Sequence, residues 1–390
     1  MTAKIFRTSI ILAAVFLFSF STSSFASEAS EAVNNFAFNA GKLIAANSES
    51  NFFFSPFSIM SAFGMAYAGA SGDTAAEIEK ALGVTKEIHS PLGELAKDFE
   101  QGGYMSSANR VWLKRGLKLR RSYSELLRKN YGSTACELDI KGDTEQSRRE
   151  INNWVSVKTN GKINDLIQQL DPETRMILTN AVYFRAEWLK KFMKSSTVKE
   201  KFYTDGENFM EVDMMKQRDD FSYVESDGVK VIMLPYEGRR FSMVIALPPE
   251  GKPEALKDLN AETFEGWINS MSKYDVDLWV PKFRTERRYE LKEIFEAMGI
   301  KRAFTNDADF SGMTLAERLK VDEIVHQTFI DVDEERTEAA AATAVMMLVG
   351  SAMPKKKPFA EFHADRPFMY FIRDNESGTI LFLGYQSFRD

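Results

Sequence analysis

The sequence has a single cysteine, Cys136, and only three histidines among its 390 residues. One cysteine cannot form an internal disulfide, and no cysteine lies close in sequence to a histidine, as a local zinc site would require. The chain also lacks a Gly-x-Ser-x-Gly turn, a His-Glu-x-x-His motif and a glycine-rich phosphate-binding loop. We therefore expect a protein that is not an enzyme and needs no metal or cofactor. A Ser-His-Asp triad assembled from residues far apart in sequence stays open as the alternative.

No apolar run of the sequence is long enough to cross a bilayer comfortably. The longest one near the start, Ile10–Phe20, follows a basic segment and precedes Ser24-Phe25-Ala26, which has small residues where a signal peptidase reads them. We expect residues 1–26 to be a cleaved export signal, with a secreted or periplasmic chain that starts at Ser27. A permanent membrane anchor is the alternative interpretation.

The formal net charge is -6, and acidic and basic residues are interspersed. This balance favours neither nucleic acid nor an anionic membrane as a partner. One cationic group stands out, and we interpret it as a solvated helix face, with a polyanion site as the alternative. It consists of Lys114, Arg115, Lys118, Arg120, Arg121, Arg128 and Lys129.

Helical and strand-like patterns follow one another without an internal repeat or a linker-like break, which predicts one α+β domain over residues 27–390. Asn51–Phe54 is typical of a short buried strand, and Ser55-Pro56 is typical of a helix start. Arg175–Arg185 is too apolar to have a solvent face, which predicts a central strand. Further predictions are helices at Ile151–Gln169 and Tyr289–Met298, a strand at Ile324–Asp331, and a hairpin of Phe368–Ile372 with Thr379–Gly384.

The segment Glu334–Met353 has a composition that suits two conformations. In a strand, small and apolar residues would share one face, because strand side chains alternate. Those residues are Thr337, Ala339, Ala341, Thr343, Val345 and Met347. Loop-forming residues flank the segment on both sides, so it is a candidate for a loop that becomes a strand. An alanine-rich helix is the alternative.

Several motifs in the same order resemble the serpins, whose inhibitory members trap serine proteases. The motifs are Asn51–Ile59, Gly69–Thr74, Leu178–Phe184 with Trp188, Val280–Phe283, Ala308–Gly312, the alanine segment and Phe362–Phe368. The resemblance implies three β-sheets, about nine helices, an exposed reactive-centre loop and a monomer. It also implies that a protease cleaves the loop and is held as an acyl-enzyme while the loop inserts into the large sheet.

The resemblance assigns roles to residues at three places. A hinge at which the loop starts to insert comprises Glu334, Arg336, Thr337, Glu338, Ala339, Ala340, Ala341, Ala342 and Thr343. A polar cluster beneath the sheet, the shutter, comprises Ser55, Ser58, Asn180 and His326. A third group at the point where the loop enters the sheet, the breach, comprises Trp188, Lys282 and Glu334.

The spacing of the family places the attacked bond at Gly350–Ser351, with Leu348, Val349 and Ala352 as neighbouring possibilities. No arginine, lysine or aromatic residue lies between Thr343 and Pro354. A trypsin-like pocket has a buried carboxylate that a neutral residue leaves unpaired. We therefore expect elastase-like or subtilisin-like serine proteases as targets, with cysteine proteases as a second class.

One position departs from the family pattern, because Arg336 stands where inhibitory members usually have glycine. The loss of glycine's conformational freedom predicts slower insertion of the loop. The rival function is that of a non-inhibitory carrier or chaperone. Small residues at Thr337, Ala339, Ala341 and Thr343 favour the inhibitor.

Overall fold

The computed structural model describes residues 28–46, 51–101, 103–205, 207–337 and 357–389, with Arg336 and Thr337 described by their backbone. Within these ranges there are eight α-helices, four short 3-10 helices and sixteen strands. The helices are α1 (28–46), α2 (Pro56–Tyr67), α3 (Gly72–Leu82), α4 (His89–Gln101), α5 (Arg121–Tyr131), α6 (Thr144–Lys158), α7 (Ala261–Ser270) and α8 (Lys292–Ala297). The 3-10 helices are Lys86–Ile88, Lys194–Ser196, Pro253–Leu256 and Arg302–Phe304.

The strands are numbered in chain order. They are β1 (Phe52–Phe54), β2 (Met105–Lys114), β3 (Cys136–Leu138), β4 (Met176–Phe184), β5 (Ala186–Glu187), β6 (Val198–Tyr203), β7 (Phe209–Ser226), β8 (Val229–Pro235), β9 (Phe241–Leu247), β10 (Ser272–Pro281), β11 (Phe283–Glu290), β12 (Glu323–Val332), β13 (Arg336–Thr337), β14 (Phe359–His363), β15 (Phe368–Asp374) and β16 (Ile380–Gln386).

A five-stranded sheet in the order β11-β12-β4-β2-β3 forms one layer of the molecule. Every residue of β4 is buried, which confirms the prediction of a central strand at Arg175–Arg185. The pair of β4 with β12 is parallel, whereas β2 with β4 and β11 with β12 are antiparallel. The seam between β4 and β12 is therefore the only parallel contact that β4 makes in the described part of this sheet.

A nine-stranded sheet forms a second layer, and its long strand β7 joins two groups of strands. The first part of β7 pairs with β6 and β10, and its last part pairs with β8. The hairpin predicted at the C-terminal end is confirmed as β15 and β16, next to β1 and β9. The described residues thus form three sheets, of nine strands, of five strands, and of the short pair β5 and β13.

Helix α2 lies between these layers, and all twelve of its residues are buried. A helix that is apolar on every side is expected in such a place, since it has no face to expose. Its predicted start is confirmed, because Ser55 is the N-cap and its side chain accepts a hydrogen bond from the Ser58 backbone N–H at 3.2 Å. The cap fixes the position of Ser55 and Ser58 under the five-stranded sheet.

The helix predicted at Ile151–Gln169 is wrong in its second half. Helix α6 starts earlier, at a cap in which Asp143 accepts a hydrogen bond from the Gln146 backbone, and it ends at Lys158. Asn160 and Gly161 follow with φ angles of 52° and 74°, which are left-handed and incompatible with a continuing helix. The Asn160-Gly161 dipeptide is typical of a turn and indicates in the sequence that helix α6 ends before it.

Residues 159–170 instead form a linker on the outer face of the five-stranded sheet. Asn152 accepts a hydrogen bond from the Ile167 backbone N–H at 2.9 Å, and Arg288 on β11 donates to the Leu166 carbonyl at 2.7 Å. Apolar residues of α6 and the linker pack on Ile177 of β4 and Val325 of β12. The seam between β4 and β12 is thus covered from outside by an apolar cluster separate from the main core.

The helix predicted at Tyr289–Met298 is also wrong at its start. Tyr289 and Glu290 belong to strand β11, opposite His326 and Val325 of β12, and helix α8 begins at Lys292. An aromatic residue beside a periodic apolar pattern does not distinguish a strand end from a first helical turn. This correction places Tyr289 beside the predicted shutter.

Candidate functional site

The seam between β4 and β12 is closed over most of its length. Glu323 to Phe329 pair in parallel with Ile177 to Tyr183, and the pairing ends there although β12 continues to Val332. Beyond this point the two strands no longer pair with each other. The five-stranded sheet therefore has an unpaired upper end between two neighbouring parallel strands, where a third strand could begin to pair.

A row of polar side chains crosses the sheet below this end. In register, Asn109 of β2 lies opposite Asn180 of β4, which lies opposite His326 of β12, which lies opposite Tyr289 of β11. Residues paired across a sheet share a face, so this row is continuous over four strands. The Tyr289 and His326 rings stack with their centroids 6.1 Å apart.

Three of the four predicted shutter residues meet at His326, which is fully buried. The Ser55 backbone N–H donates to His326 Nε2 at 3.0 Å, so this nitrogen carries no proton. The proton is then on Nδ1, which donates to Asn180 Oδ1. Burial lowers the pKa of His326 to about 3, which keeps the ring neutral. The histidine thus joins helix α2 to the central strand across the seam.

Asn180 connects the same cluster to the next strand. Its side-chain nitrogen donates to the Ser58 carbonyl at 2.9 Å, to the Ser58 hydroxyl and to Asn109 Oδ1. Ser55 also donates from its hydroxyl to the Leu381 carbonyl of β16 at 2.6 Å. The structure therefore brings Ser55, Ser58, Asn180 and His326 together, while their role in strand separation stays a prediction.

Asn109 is the member of this cluster that sequence reasoning missed. It lies in the strand predicted from Met105 onward, within the polar run Ser106-Ser107-Ala108-Asn109-Arg110. An amide in a strand that crosses a buried layer was a signal, because buried polar groups are nearly always hydrogen-bonded. Only the register of β2 on β4 identifies Asn180 as its partner.

The chain reverses direction at residues 333–335, and Trp188 holds this turn. Its indole N–H donates to the Asp333 carbonyl at 2.9 Å, and its backbone N–H donates to the Glu335 carbonyl at 3.2 Å. The indole stacks on Tyr236 with ring centroids 4.6 Å apart and an interplanar angle of 12°. Two hydrogen bonds from Trp188 therefore position the start of the hinge, and the stacking on Tyr236 holds the indole in place.

Glu334 is buried at the breach, and its carboxylate has two partners. Lys282 lies 2.8 Å from Oε2, and the Thr197 hydroxyl donates to Oε1 at 2.8 Å. Burial raises the pKa of Glu334, but the hydrogen bonds from Lys282 and Thr197 outweigh it and hold the pKa below its usual value. The charge is therefore present at neutral pH and anchors the first residue of the hinge.

The next residues of the hinge pair with the extension of β4. Arg336 lies opposite Glu187 and Thr337 opposite Ala186 in an antiparallel register. Ala186 follows β4 after one residue, so β13 adds to the unpaired end of the central strand. Glu338–Thr343 and the predicted reactive positions Leu348, Val349, Gly350, Ser351 and Ala352 lie outside the described residues.

Most of the cationic group has acidic or carbonyl partners. Lys114 lies 3.2 Å from Glu317, and Arg121 lies 2.7 Å from Glu125. Arg115 pairs with Asp139 at 3.2 Å, and Arg120 donates to the Ser311 carbonyl at 3.1 Å. Paired cations on a helix and its flanking strand fit the solvated face that we favour.

The described residues contain no cluster of three or more histidine, cysteine or acidic side chains that could hold a metal ion. Their helices are also all too short or too polar to cross a membrane. The described site thus consists of the seam between β4 and β12, the hydrogen-bonded cluster beneath it, and the two-residue strand β13 at its upper end.

The chain matches a known protein family over most of its length. The family model described as "Serpin (serine protease inhibitor)" matches residues 31–387. The chain belongs to the serpin family. An uncharacterized serpin-like protein of Thermococcus kodakarensis is 41% identical over 361 residues, which cover 90% of this chain and 84% of that protein. The human leukocyte elastase inhibitor is 35% identical over 356 residues, covering 87% and 93%.

Solved serpin structures have the same fold. A crystal structure of maspin matches with a TM-score of 0.86 at 26% identity, covering 93% of this chain and 99% of that one. Human thyroxine-binding globulin, solved in complex with thyroxine, matches with a TM-score of 0.83 at 29% identity, covering 93% of this chain and 98% of that one. The α+β serpin fold expected from the sequence is thereby confirmed.

Proposed function

We propose that this serpin is an irreversible suicide-substrate inhibitor of serine proteases. A target cleaves the loop between residues 337 and 357, remains attached as an acyl-enzyme, and is carried away as the loop inserts between β4 and β12. The observation that carries the proposal is the pairing of Arg336–Thr337 with Ala186–Glu187 at the unpaired end of the seam. This pairing is the first step of an antiparallel strand addition.

The residues that would follow Thr337 into the seam support this mechanism. Ala339 to Ala342 are small, and Thr343 keeps the same pattern, so the segment fits between packed strands with no large side chain to bury. An inserted strand of about fourteen residues at about 3.3 Å each spans about 45 Å, enough to cross a domain. Such a displacement would carry an attached protease to the opposite end of the sheet.

Insertion requires that the β4–β12 pairing separates, and the shutter offers a route for this. His326 and Asn180 hydrogen-bond across the seam, and both also bond to residues at the start of α2. Loss of the bond across the seam leaves each side chain with a partner on the helix, which limits the cost of buried unpaired groups. The seam is therefore closed in the uncleaved chain but able to open.

The target class follows from the loop sequence. Residues 343–354 contain no basic or aromatic side chain, so proteases with small or aliphatic specificity fit best. We propose elastase-like or subtilisin-like enzymes, with cysteine proteases as a second class. The relative named leukocyte elastase inhibitor supports this choice. We further propose that residues 1–26 direct export, so that the inhibitor meets its target outside the cytoplasm.

The test is to incubate the protein with an elastase-like protease and to look for a complex that survives denaturing electrophoresis. We expect such a complex with active elastase and none with trypsin. Elastase whose catalytic serine has been blocked is the matched control, because it can bind the loop but cannot form the acyl bond. Cleavage of the loop without any stable complex would contradict inhibition and favour the carrier or chaperone alternative, for which the hormone complex of thyroxine-binding globulin is a precedent.

A further inference from the structure

The lower end of the seam between β4 and β12 is held by a side chain, whereas the upper end of the seam is unpaired. The last pair at the lower end is Glu323 with Ile177. Directly before Glu323 in the chain, Asp322 accepts two hydrogen bonds from the backbone of the opposite segment. Its Oδ2 atom lies 2.8 Å from the Arg175 nitrogen and 3.1 Å from the Met176 nitrogen. One carboxylate oxygen thus bridges two backbone N–H groups across the seam, and we call this pair of bonds the clamp.

Two further hydrogen bonds join the same two chain segments. The Asp322 N–H donates to the Met176 carbonyl at 3.0 Å, and the Arg175 guanidinium donates to the Arg318 carbonyl at 3.2 Å. The Asp322 side chain is only 15% exposed, and Lys320 lies 3.6 Å from its other oxygen. Hydrogen bonds to an ionised group are roughly twice as strong as neutral ones, and partial burial protects them from screening by salt. The clamp is therefore a strong contact at the point where the two strands begin.

The clamp differs from the rest of the seam in how strand insertion affects it. A strand that enters between β4 and β12 brings its own N–H and C=O groups, so it can replace the backbone bonds that the two strands lose. The clamp requires a side chain of the β12 segment to reach the backbone of the β4 segment. Because neighbouring strands lie about 4.8 Å apart, an inserted strand doubles this separation and breaks the clamp.

The opening of the seam has to extend to its lower end. Strand β4 has nine residues, and the strand proposed to insert has about fourteen at about 3.3 Å each, so it spans the whole of β4. We propose that Asp322 holds the lower end of the seam shut and so sets how readily the sheet opens. This inference rests on the proposed insertion mechanism and makes Asp322 a positioning residue that acts through the backbone of β4.

Hydrogen exchange tests the clamp in the uncleaved protein, without a protease. Asp322→Ala removes both bonds of the clamp, so amides in peptides that cover the starts of β4 and β12 should exchange at least about tenfold faster than in the parent. Asp322→Asn keeps an acceptor oxygen without the charge, so its exchange rates should lie between those of the parent and of Asp322→Ala. Unchanged exchange in both variants would overturn the proposal, whether or not the loop inserts.

Two matched controls separate the clamp from a general loss of stability. Asp309→Ala removes a carboxylate that accepts a hydrogen bond from the Ser311 backbone at 2.9 Å within a single loop, so this bond does not cross the seam. Lys320→Ala removes the ion pair on the other oxygen of Asp322 and leaves the clamp in place. Both controls should leave exchange at the starts of β4 and β12 within about twofold of the parent. If Asp309→Ala accelerates this exchange as much as Asp322→Ala does, the effect is general and the proposal fails.

Cleavage of the loop then tests the consequence for insertion. Unfolding in guanidinium chloride is compared for the uncleaved and cleaved chains of the parent and of Asp322→Ala. The variant should have a lower unfolding midpoint than the parent only in the uncleaved form, because the cleaved, inserted form has already lost the clamp. An aspartate with a merely structural role would lower both midpoints alike, and that result would overturn the proposal.

The parent protein shows separately whether the proposed function fails. If cleavage leaves the unfolding midpoint of the parent unchanged, the loop does not insert and the inhibitor mechanism is wrong. The exchange measurement on the uncleaved chain still decides in that case whether Asp322 closes the seam.

Discussion

Thr337→Arg is the substitution that tests the insertion mechanism most directly. Thr337 pairs in register with Ala186 of β5, which is 4% exposed. An arginine at this position should disrupt this existing pair, because a guanidinium without an acidic partner would lie against the core, and insertion would then have to bring that group back. An unpaired buried charge costs several kcal/mol, even after the structure relaxes around it.

The outcome is set by a competition between insertion and hydrolysis of the acyl-enzyme. Every 1.4 kcal/mol added to the barrier slows insertion about tenfold relative to hydrolysis. A cost of about 3 kcal/mol at the transition state therefore lowers the yield of trapped complex about 100-fold. Thr337→Arg should become a substrate that is cleaved and released.

The assay is the ratio of trapped complex to cleaved, released chain after a fixed number of elastase equivalents. Thr337→Val is the matched control, because valine has nearly the volume of threonine and no charge. This control should trap elastase as the unmodified protein does. A Thr337→Arg protein that traps elastase within twofold of the parent would refute the assigned inner face of the hinge.

Three further predictions concern the loop and its surroundings. Cleavage within residues 345–353 should raise the melting temperature strongly, since an inserted strand adds hydrogen bonds and burial, and an unchanged melting curve would remove the inhibitor interpretation. Mass spectrometry of the peptide released from a trapped complex should place the cut at Gly350–Ser351, and a cut after Lys355 or Lys356 would overturn the target class. For His326, the folded pKa of about 3 lies below the unfolded value of about 6.5, so stability is complete above pH 6.5 and is lost as pH falls toward 3. His326→Gln should flatten that part of a pH–stability curve, and an unaltered curve would contradict the neutral buried ring.

Much of the local structure could be predicted because its causes are local. The Ser55 cap, the continuous apolar run of β4 and the turn-forming residues between β15 and β16 act within a few residues of chain. The motifs around them also sufficed for the family. Errors arose where a local signal was ambiguous, as at Asn160-Gly161 beyond α6 and at Tyr289 before α8.

What only the tertiary structure decided is which distant residues face one another. Asn109, Asn180, His326 and Tyr289 form one row because four strands align in a particular register, and register depends on packing across the whole sheet. The backbone pairing of Arg336 with Glu187 is of the same kind, since the two residues are far apart in sequence and the turn that Trp188 holds brings the strands together. The sequence by itself determined the fold family, because its motifs depend on residue type and spacing. The strand that lies opposite the hinge depends on pairing between distant segments, and such pairing exists only in the folded chain.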